Sequence, residues 1–240
     1  MQLLFPQGYI DYTTSMQWFE PIMDCKDEDI EKIYVFEHQN VYTAGKSIIV
    51  DNKTRFINNT PVVYTSRGGL WTWHGKGQIV VYFIYHLRKR NLALSDFMSL
   101  VEQVVIEITN QFLFNSSQNT QSQTQLHIYA DSNKRGFWVK NNNKSEYDIA
   151  KFGFIGLRVS RGYVYHGISI NFNNDLSAFD YINPCGLGDV KITSIKEIHS
   201  LLKQVKKLPN INTFKQTLGS KLFEALNNVN KKDNNLKIRN

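Results

Sequence analysis

A cysteine in a stiff turn is a natural candidate for covalent chemistry in this 240-residue sequence. Cys185 stands between Pro184 and Gly186. Proline fixes its own φ angle and glycine opens backbone conformations that other residues avoid, so the turn would hold the thiol outward. A nearby amine or backbone N–H group stabilises the thiolate, which is the nucleophilic form. Cys185 is therefore a candidate nucleophile for attack on a carbonyl carbon whose oxygen accepts hydrogen bonds from backbone N–H groups.

A lone cysteine is also commonly a small buried hydrophobe, and this alternative applies to both thiols of the chain. It fits Cys25 better than Cys185, because the acidic residues around Cys25 disfavour a thiolate. Two cysteines are too few for the disulfide framework of a secreted protein. The first residues also lack the charged and apolar regions of a signal peptide. We therefore expect the chain to work in a reducing cytoplasm.

A lysine beside an apolar strand is the amine most suggestive of a function. Lys151 opens the run KFGFIGLRVS, where a charged side chain is unusual unless its ammonium group has a role or a route to solvent. Glycines at 153, 156 and 167 mark positions where another backbone or a ligand can approach closely. His166 follows an apolar alternation, and a satisfied core histidine explains it better than a catalytic one.

A glycine-rich segment between two predicted strands suits ligand binding. RGGLWTWHGKGQ (67–78) holds four glycines, one arginine and one histidine. Its glycines let backbone approach a ligand and leave N–H groups free to donate. In extended geometry Trp71 and Trp73 would share one face, giving a ligand with an apolar tail and a polar head a wall beside a polar turn. A tight structural hairpin with a core tryptophan explains the same residues equally well.

Several classes of site and location are excluded. The stretch AGKS (44–47) lacks the earlier glycine of a phosphate-binding loop, because position 40 is Asn40. HExxH, CxxC and EF-hand spacings are absent from the sequence, so we expect no metal site. The longest strongly apolar run, IVVYFIY (79–85), is too short to span a bilayer.

The positive charge is concentrated at the C-terminal end. The net charge is +7, and residues 191–240 carry eleven Lys/Arg against three Asp/Glu. A solvated helical face and a frayed tail explain this excess, and a steering surface for an acidic partner is the alternative. Neither a zinc pattern nor a basic motif interleaved with aromatics supports nucleic-acid binding.

Hydrophobic periodicity predicts the elements that must position these candidates. Strands are predicted at 32–38, 61–66, 77–85, 126–131, 136–140, 148–160 and 162–173. Helices are predicted at 95–114, 193–205 and 212–229, with Ser95, Thr193 and Asn212 as N-caps. The polar stretches 115–125 and 141–146 are expected to be exposed loops.

The order of these elements favours an α+β fold. Strands cluster in the middle of the chain and the long helices lie apart from them, which argues against strict βαβ alternation. We expect a mixed β-sheet flanked by helices in a single domain spanning residues 1–240, with a polar loop at 115–125 and a basic tail at about 230–240.

Three blocks of the sequence, in a fixed order, resemble the lipoyl (octanoyl) transferases of the biotin/lipoate protein ligase superfamily. The blocks are RGGLWTWHGKGQ, the stretch from KFGFIGLRVSRG through HGISIN, and INPCG with the following ITSI. The resemblance extends from about His38 to Ser194. It implies a biotin/lipoate ligase-like catalytic domain that needs neither a cofactor nor a metal.

The resemblance also implies roles for individual residues. Cys185 matches the nucleophile that carries the acyl group as a thioester, and Lys151 matches the lysine that lowers the cysteine pKa and carries protons. The acyl-binding positions it implies are Arg67, Gly68, Gly69, Leu70, Trp71, Thr72, Trp73, His74, Phe154, Ile155, Gly156, Gly167, Ile168 and Ser169.

The implied reaction passes an octanoyl group from octanoyl-acyl carrier protein to a lysine of apo lipoyl domains. The implied acceptors are the lipoyl domains of 2-oxoacid dehydrogenase complexes and the glycine cleavage H protein; neither nucleic acid nor a membrane is expected as a partner, and the enzyme is expected to be a monomer. The sequence departs from the family pattern at Lys76, where a proline is usual, and at Ser169, where alanine is common. An ATP-dependent lipoate or biotin ligase on the same scaffold and a binding module without chemistry are the alternatives.

Overall fold

The computed structural model describes residues 1–19, 30–48, 54–114, 126–131, 133–142, 149–184, 186, 190–202 and 207–229. The predicted loop at 115–125 and the predicted tail at 230–240 lie outside these ranges. Both cysteines, Cys25 and Cys185, also lie outside them.

Thirteen strands and four α-helices form within the described ranges. The strands are β1 Gln2–Leu4, β2 Tyr9–Ile10, β3 Lys32–His38, β4 Val41–Ala44, β5 Phe56–Ile57, β6 Thr60–Tyr64, β7 Trp71–His74, β8 Gln78–His86, β9 Leu126–Ala130, β10 Gly136–Asn141, β11 Ile149–Ser160, β12 Tyr163–Asn171 and β13 Lys191–Ile192. The α-helices are α1 Tyr12–Met16, α2 Leu94–Leu113, α3 Ile195–Leu201 and α4 Ile211–Asn227. Two 3-10 helices, Gln17–Phe19 and Ser177–Tyr181, complete the set.

The predicted elements lie within a few residues of the observed ones, but the predicted helix caps were wrong. The backbone before α2 is extended at Ala93, and no side chain caps this helix. Ser194 caps α3 by accepting the N–H of Glu197, and Asn210 caps α4. Boundary predictions of this kind fail because a cap depends on where the chain enters the helix, which packing decides.

Most of the strands form one large mixed sheet. Its order is β1-β3-β8-β12-β11-β10-β9, with β2 added beside β3 and β13 beside β11. The neighbours from β3 to β9 along this path are antiparallel, whereas β1 with β3 and β13 with β11 are parallel. A second sheet of four short strands has the order β5-β6-β4-β7.

Helices α2 and α4 cover one face of the large sheet and bury an apolar core against it. Their buried residues recur at three- and four-residue intervals, as expected for amphipathic helices: Phe97, Val101, Val104, Val105 and Ile108 in α2, and Phe214, Leu218, Leu222 and Leu226 in α4. Each such side chain contributes roughly 1.5–3 kcal/mol when fully buried. The expected α+β class, a mixed sheet flanked by helices, is confirmed.

The other face of the large sheet meets the N-terminal segment. Phe19 packs into a second apolar cluster with Tyr34, Tyr82, Tyr163 and Tyr165. The rings of Phe19 and Tyr82 are 5.4 Å apart. This packing fixes the segment that includes α1 against the centre of the sheet. Within the described ranges, the chain has no helix long and apolar enough to cross a membrane.

Candidate functional site

A cavity of about 530 Å³ lies where the loop before β7 meets β11 and β12. All the residues that the family resemblance implies for acyl binding line it, with the exception of Trp73, and so does Lys151. The lining also includes residues that sequence reasoning did not select: Tyr82, Leu94, Met98, Asn133, Lys134, Arg135, Leu157, Val159, His166 and Pro184. The volume falls within the roughly 300–1,000 Å³ of ordinary small-ligand pockets.

Trp73 lies away from this cavity. Its side chain is 4% exposed and packs in a separate apolar cluster with Tyr42 and Phe179. The rings of Trp73 and Phe179 meet edge to face at 6.0 Å. Trp71, in contrast, lines the cavity. Trp73 is therefore a core residue of the small sheet. For this residue, the alternative of a structural hairpin with a core tryptophan is the correct one.

Lys151 is a buried strand residue whose amine is held by backbone carbonyl groups. The side chain is 3% exposed. Its Nζ donates to the carbonyl oxygen of Arg135 at 2.8 Å and to that of Lys134 at 3.3 Å. The same amine lies over the rings of Trp138, at 4.9 Å, and Phe154, at 5.1 Å. Aromatic faces attract a cation, so these contacts fix one amine at the wall of the cavity.

The turn that was predicted to carry the nucleophile borders the same cavity. Cys185 itself lies outside the described residues. Pro184 lines the cavity, and the N–H of Gly186 donates to Oδ1 of Asn183 at 2.8 Å. Gly186 has φ +60°, and a Cβ atom there would lie 2.5 Å from Cδ1 of Leu70, another lining residue. The residues on both sides of position 185 thus adjoin the lining.

Arg67 pins the glycine-rich loop to the small sheet. Its guanidinium is buried and donates to the carbonyl oxygen of Thr43 at 2.7 Å and to that of Gly68 at 2.9 Å. Burial lowers the pKa of Arg67 from its usual value, although a guanidinium stays charged in proteins. A Cβ atom at Gly45 would overlap the carbonyl oxygen of Gly69. Charge-assisted hydrogen bonds and close backbone packing therefore shape this wall.

A chain of buried hydrogen bonds fixes the tautomer of His74. The amide of Asn171 donates to the carbonyl oxygen of Thr193 at 3.0 Å, so its Oδ1 faces Gln78 and accepts from Gln78 Nε2 at 2.9 Å. Gln78 therefore turns its Oε1 toward His74 Nδ1, 2.6 Å away. Since that oxygen only accepts, Nδ1 carries the proton and Nε2 keeps its lone pair. The N–H of Thr193 donates to the carbonyl oxygen of Lys151 at 2.9 Å, which links the chain to β11.

Burial keeps this histidine neutral. His74 is 5% exposed. Burial first, and then the nearby His38, lower the pKa of His74 well below 6.5. His38 donates from Nδ1 to the carbonyl oxygen of Ile10 at 2.9 Å, and its Nε2 accepts from the hydroxyl of Tyr82 at 3.0 Å. Burial lowers the pKa of His38 to about 4. At neutral pH both histidines are therefore uncharged polar groups.

His166 lies in an unusual backbone conformation. It is 2% exposed, lines the cavity and has φ +59°. Alternation along β12 would place His166 with Val164 and Ile168 in the core beneath the helices. Its ring instead stacks on Tyr165 at 5.2 Å and lies 5.1 Å from Phe19, on the opposite face. The sequence suggested a satisfied core histidine, but Nδ1 of His166 is buried without a hydrogen-bond partner among the described residues.

One carboxylate joins the glycine-rich turn to the last helix. Glu37 accepts the N–H of Gly77 at 2.8 Å and the amine of Lys215, from α4, at 2.9 Å. Both charged side chains are mostly buried. The turn between β7 and β8 is therefore fixed from outside the cavity.

The lining residues that sequence analysis missed leave only weak signals of a binding role in the sequence. Tyr82 lies inside the apolar run of β8. Of the two tyrosines in that strand, Tyr82 lines the cavity and Tyr85 does not. The turn at 133–135 precedes Gly136, whose φ of +147° requires glycine. Within the described part of the chain, no three His, Cys, Asp or Glu residues cluster as metal ligands.

The sequence matches a known family over most of its length. Residues 11–223 match the model described as the lipoyl protein ligase A/B catalytic domain. The chain is 32% identical over 222 residues to the octanoyltransferase of Buchnera aphidicola subsp. Schizaphis graminum, covering 91% of this chain and 88% of that protein. It is 34% identical over 226 residues to the octanoyltransferase of Wigglesworthia glossinidia brevipalpis, covering 93% of each.

Solved structures share the fold at low sequence identity. A lipoate-protein ligase A bound with ATP superposes with a TM-score of 0.62 at 10% identity, covering 95% of this chain and 86% of that one. The lipoate-bound LipL1 of P. falciparum gives 0.58 at 12% identity, covering 94% of this chain and 62% of that one. The family-model match and the octanoyltransferase relatives show that the chain is an enzyme belonging to the lipoyl protein ligase A/B catalytic-domain family.

Proposed function

We propose that this protein transfers an octanoyl group from octanoyl-acyl carrier protein to a specific lysine of apo lipoyl domains, through a thioester on Cys185. The acceptors would be the lipoyl domains of 2-oxoacid dehydrogenase complexes and the glycine cleavage H protein. One observation carries the proposal: a single cavity joins apolar strand residues, the glycine-rich loop, the Lys151 amine and Pro184, next to the predicted nucleophile. Relatives named octanoyltransferase support the choice of acyl group.

The lining suits an acyl chain with a reactive head. Phe154, Ile155 and Ile168 supply apolar surface, and Gly156 and Gly167 stand opposite each other on β11 and β12 without side chains. Burial of a hydrocarbon chain along such a wall is favourable by roughly 0.8 kcal/mol per CH₂ group. The polar end would lie toward the amine of Lys151, where proton transfer is needed.

In the first step the Cys185 sulfur attacks the carbonyl carbon of the octanoyl thioester. A new carbon–sulfur bond forms and the bond to the carrier's phosphopantetheine sulfur breaks. The proton lost by the Cys185 thiol passes to the departing thiolate, with Lys151 as the carrier. An ammonium group near the sulfur favours the thiolate before attack.

In the second step the lysine amine of the lipoyl domain attacks the Cys185 thioester. An amide bond forms, the carbon–sulfur bond of the acyl-enzyme breaks, and Cys185 returns as a thiolate. The attacking amine releases a proton, and Lys151 takes it up. The two steps together need neither a metal nor a nucleotide.

Intact-mass spectrometry tests this function. The protein mixed with octanoyl-acyl carrier protein should gain one octanoyl group, and adding an apo lipoyl domain should remove it from the enzyme and place it on the acceptor. Cys185→Ser should abolish the adduct, whereas Cys25→Ser serves as the matched control and should retain it. Absence of any adduct with active carrier protein would contradict the acyl-enzyme.

The same assay separates the transferase from an ATP-dependent ligase. Activation of free octanoate by ATP forms an adenylate and has no need of Cys185. Transfer from free octanoate and ATP that survives Cys185→Ala would therefore overturn the proposal in favour of the ligase.

A further inference from the structure

His166 lies between the acyl cavity and a second cavity. The second cavity has a volume of about 450 Å³ and is lined by α1, the 3-10 helix that follows it, and residues 63–66 with Tyr165. Among the described residues that line either cavity, His166 is the only one that lines both. Its ring, directed away from the main core by the left-handed backbone, occupies the boundary.

The distance along β11 matches the length of a medium acyl chain. The Lys151 amine lies over the ring of Phe154, and Leu157, three residues further along the strand, pairs with His166. Three strand residues span about 10 Å. Carbon–carbon bonds of about 1.5 Å advance an extended chain by roughly 1.3 Å each. A chain of eight carbons with its carbonyl near the amine therefore ends near the His166 ring.

The ring is held mainly by packing. Its Nε2 lies 3.4 Å from the hydroxyl of Ser66, a long hydrogen bond, and its Nδ1 has no partner in the described part of the chain. Phe19 and Tyr165 contact the ring from the side of the second cavity. Burial first, and then the nearby Arg67, lower the pKa of His166 to about 3. The boundary is accordingly a neutral ring at physiological pH, which suits contact with a terminal methyl group.

The left-handed backbone at His166 has a cost that a purely structural residue would avoid. Histidine is found at positive φ more often than most residues, but such positions are still strained and cluster at functional sites. Glycine would meet the backbone requirement without strain. A ring at this position therefore points to a use for the side chain.

We propose that the His166 ring limits acyl chain length by closing the distal end of the cavity and separating it from the second cavity. This inference rests on the proposed octanoyl transfer, since it assumes that the acyl carbonyl lies at the Lys151 end. Chains longer than about eight carbons are excluded because their ends meet the ring. Removing the ring joins the two cavities and creates space beyond it.

The test compares octanoyl and dodecanoyl thioesters of acyl carrier protein with wild-type protein and His166→Gly. The ratio of kcat/KM for dodecanoyl over octanoyl transfer should rise by about tenfold or more, the range in which a few methylene groups are discriminated by a pocket. Asn91→Gly is the matched control, because Asn91 also has a positive φ, of +47°, and lines neither cavity. Its ratio should remain that of the wild type.

A second variant and a second measurement decide the remaining outcomes. His166→Asn is the alternative variant if His166→Gly does not fold. Asparagine tolerates the left-handed backbone but has a shorter side chain than histidine. The ratio for His166→Asn should lie between that of the wild type and the rise of about tenfold expected for His166→Gly. Calorimetric binding of octanoic and dodecanoic acids reports on the space alone, independently of transfer. Tighter dodecanoic acid binding in the folded variant would support the length limit even where transfer fails. An unchanged preference in both measurements would overturn it.

Discussion

Gly136 leaves the space that the side chain of Lys151 occupies. A Cβ atom at position 136 would overlap Cε of Lys151 and lie 2.9 Å from its Nζ. Gly136 also has φ +147°, a conformation that residues with a side chain rarely adopt. The position of the amine is thus set partly by the absence of a side chain on the neighbouring strand.

Gly136→Ala should therefore impair acyl transfer by displacing the amine. We expect the rate of acyl-enzyme formation to fall by about tenfold or more, since small misplacements of catalytic groups are costly. Rapid-quench mass spectrometry measures this rate. Gly8→Ala is the control: Gly8 has φ +74° but no atoms within 4 Å of an added Cβ. Equal losses in both variants would show that backbone strain alone is responsible.

Replacing the amine itself should have a larger effect. Lys151→Met keeps an unbranched side chain against the rings of Trp138 and Phe154 but removes proton transfer. We expect kcat/KM to fall by about 10²–10⁴-fold, the usual contribution of a general acid–base group, with the fold unchanged by circular dichroism. Lys140→Met, on the exposed part of β10, is the matched control. Near-normal activity in Lys151→Met would refute the proposed catalytic role of this lysine.

Gly167→Ala should destabilise the centre of the large sheet. A Cβ atom at 167 would overlap the carbonyl oxygen of Val81 on β8. Forcing a methyl group into packed backbone typically costs about 1–3 kcal/mol, which urea denaturation can measure. Gly156, opposite Gly167 on β11, provides the comparison: its nearest contact would be 3.4 Å away. Gly156→Ala should change stability less, and a reversed order would contradict the packing argument.

The neutral buried histidines should make stability depend on pH. The pKa of His38 is lowered to about 4 by burial, whereas an unfolded histidine titrates near 6.5. Between these values the unfolded chain binds more protons, so this contribution to stability is complete above about pH 6.5 and is lost as the pH falls toward 4. Each such histidine adds a slope of up to about 1.4 kcal/mol per pH unit. His74 and His166 act in the same direction.

Denaturation of His38→Gln between pH 7 and 5 checks this. Glutamine can still donate to the carbonyl of Ile10 and accept from Tyr82, but it has no proton to gain. The variant should lose less stability on acidification than the wild-type protein. Parallel pH profiles for the two proteins would contradict this expectation. They would show that His38 does not take up a proton on unfolding in this pH range.

The sequence predicted elements better than it predicted the positions of individual side chains. Strand β3 and the long helix α2 follow periodicities that the chain must satisfy to bury its apolar residues, so alternation and helical spacing were sufficient. The carbonyls that hold the Lys151 amine belong to Lys134 and Arg135, in the connection between β9 and β10. Such contacts depend on strand pairing, which local patterns do not encode.

Two further residues show the same limit. Trp73 shares a strand with Trp71, and only the packing of Phe179 against it shows that it belongs to a core. His166 reads as part of an alternating strand, and a single left-handed residue moves its ring to the opposite face. Neither the contact partner nor the φ angle can be deduced from residue type alone.

The carboxylate of Glu37 has a consequence for how the protein loses its activity on heating. Undocking α4 would remove Lys215 and leave a buried negative charge beside the Gly77 turn, which is strongly unfavourable. Helix α4 and the glycine-rich turn between β7 and β8 should consequently melt as one cooperative unit. Loss of catalysis and loss of helical signal would then share a single transition temperature, so no partially unfolded form would retain a working turn.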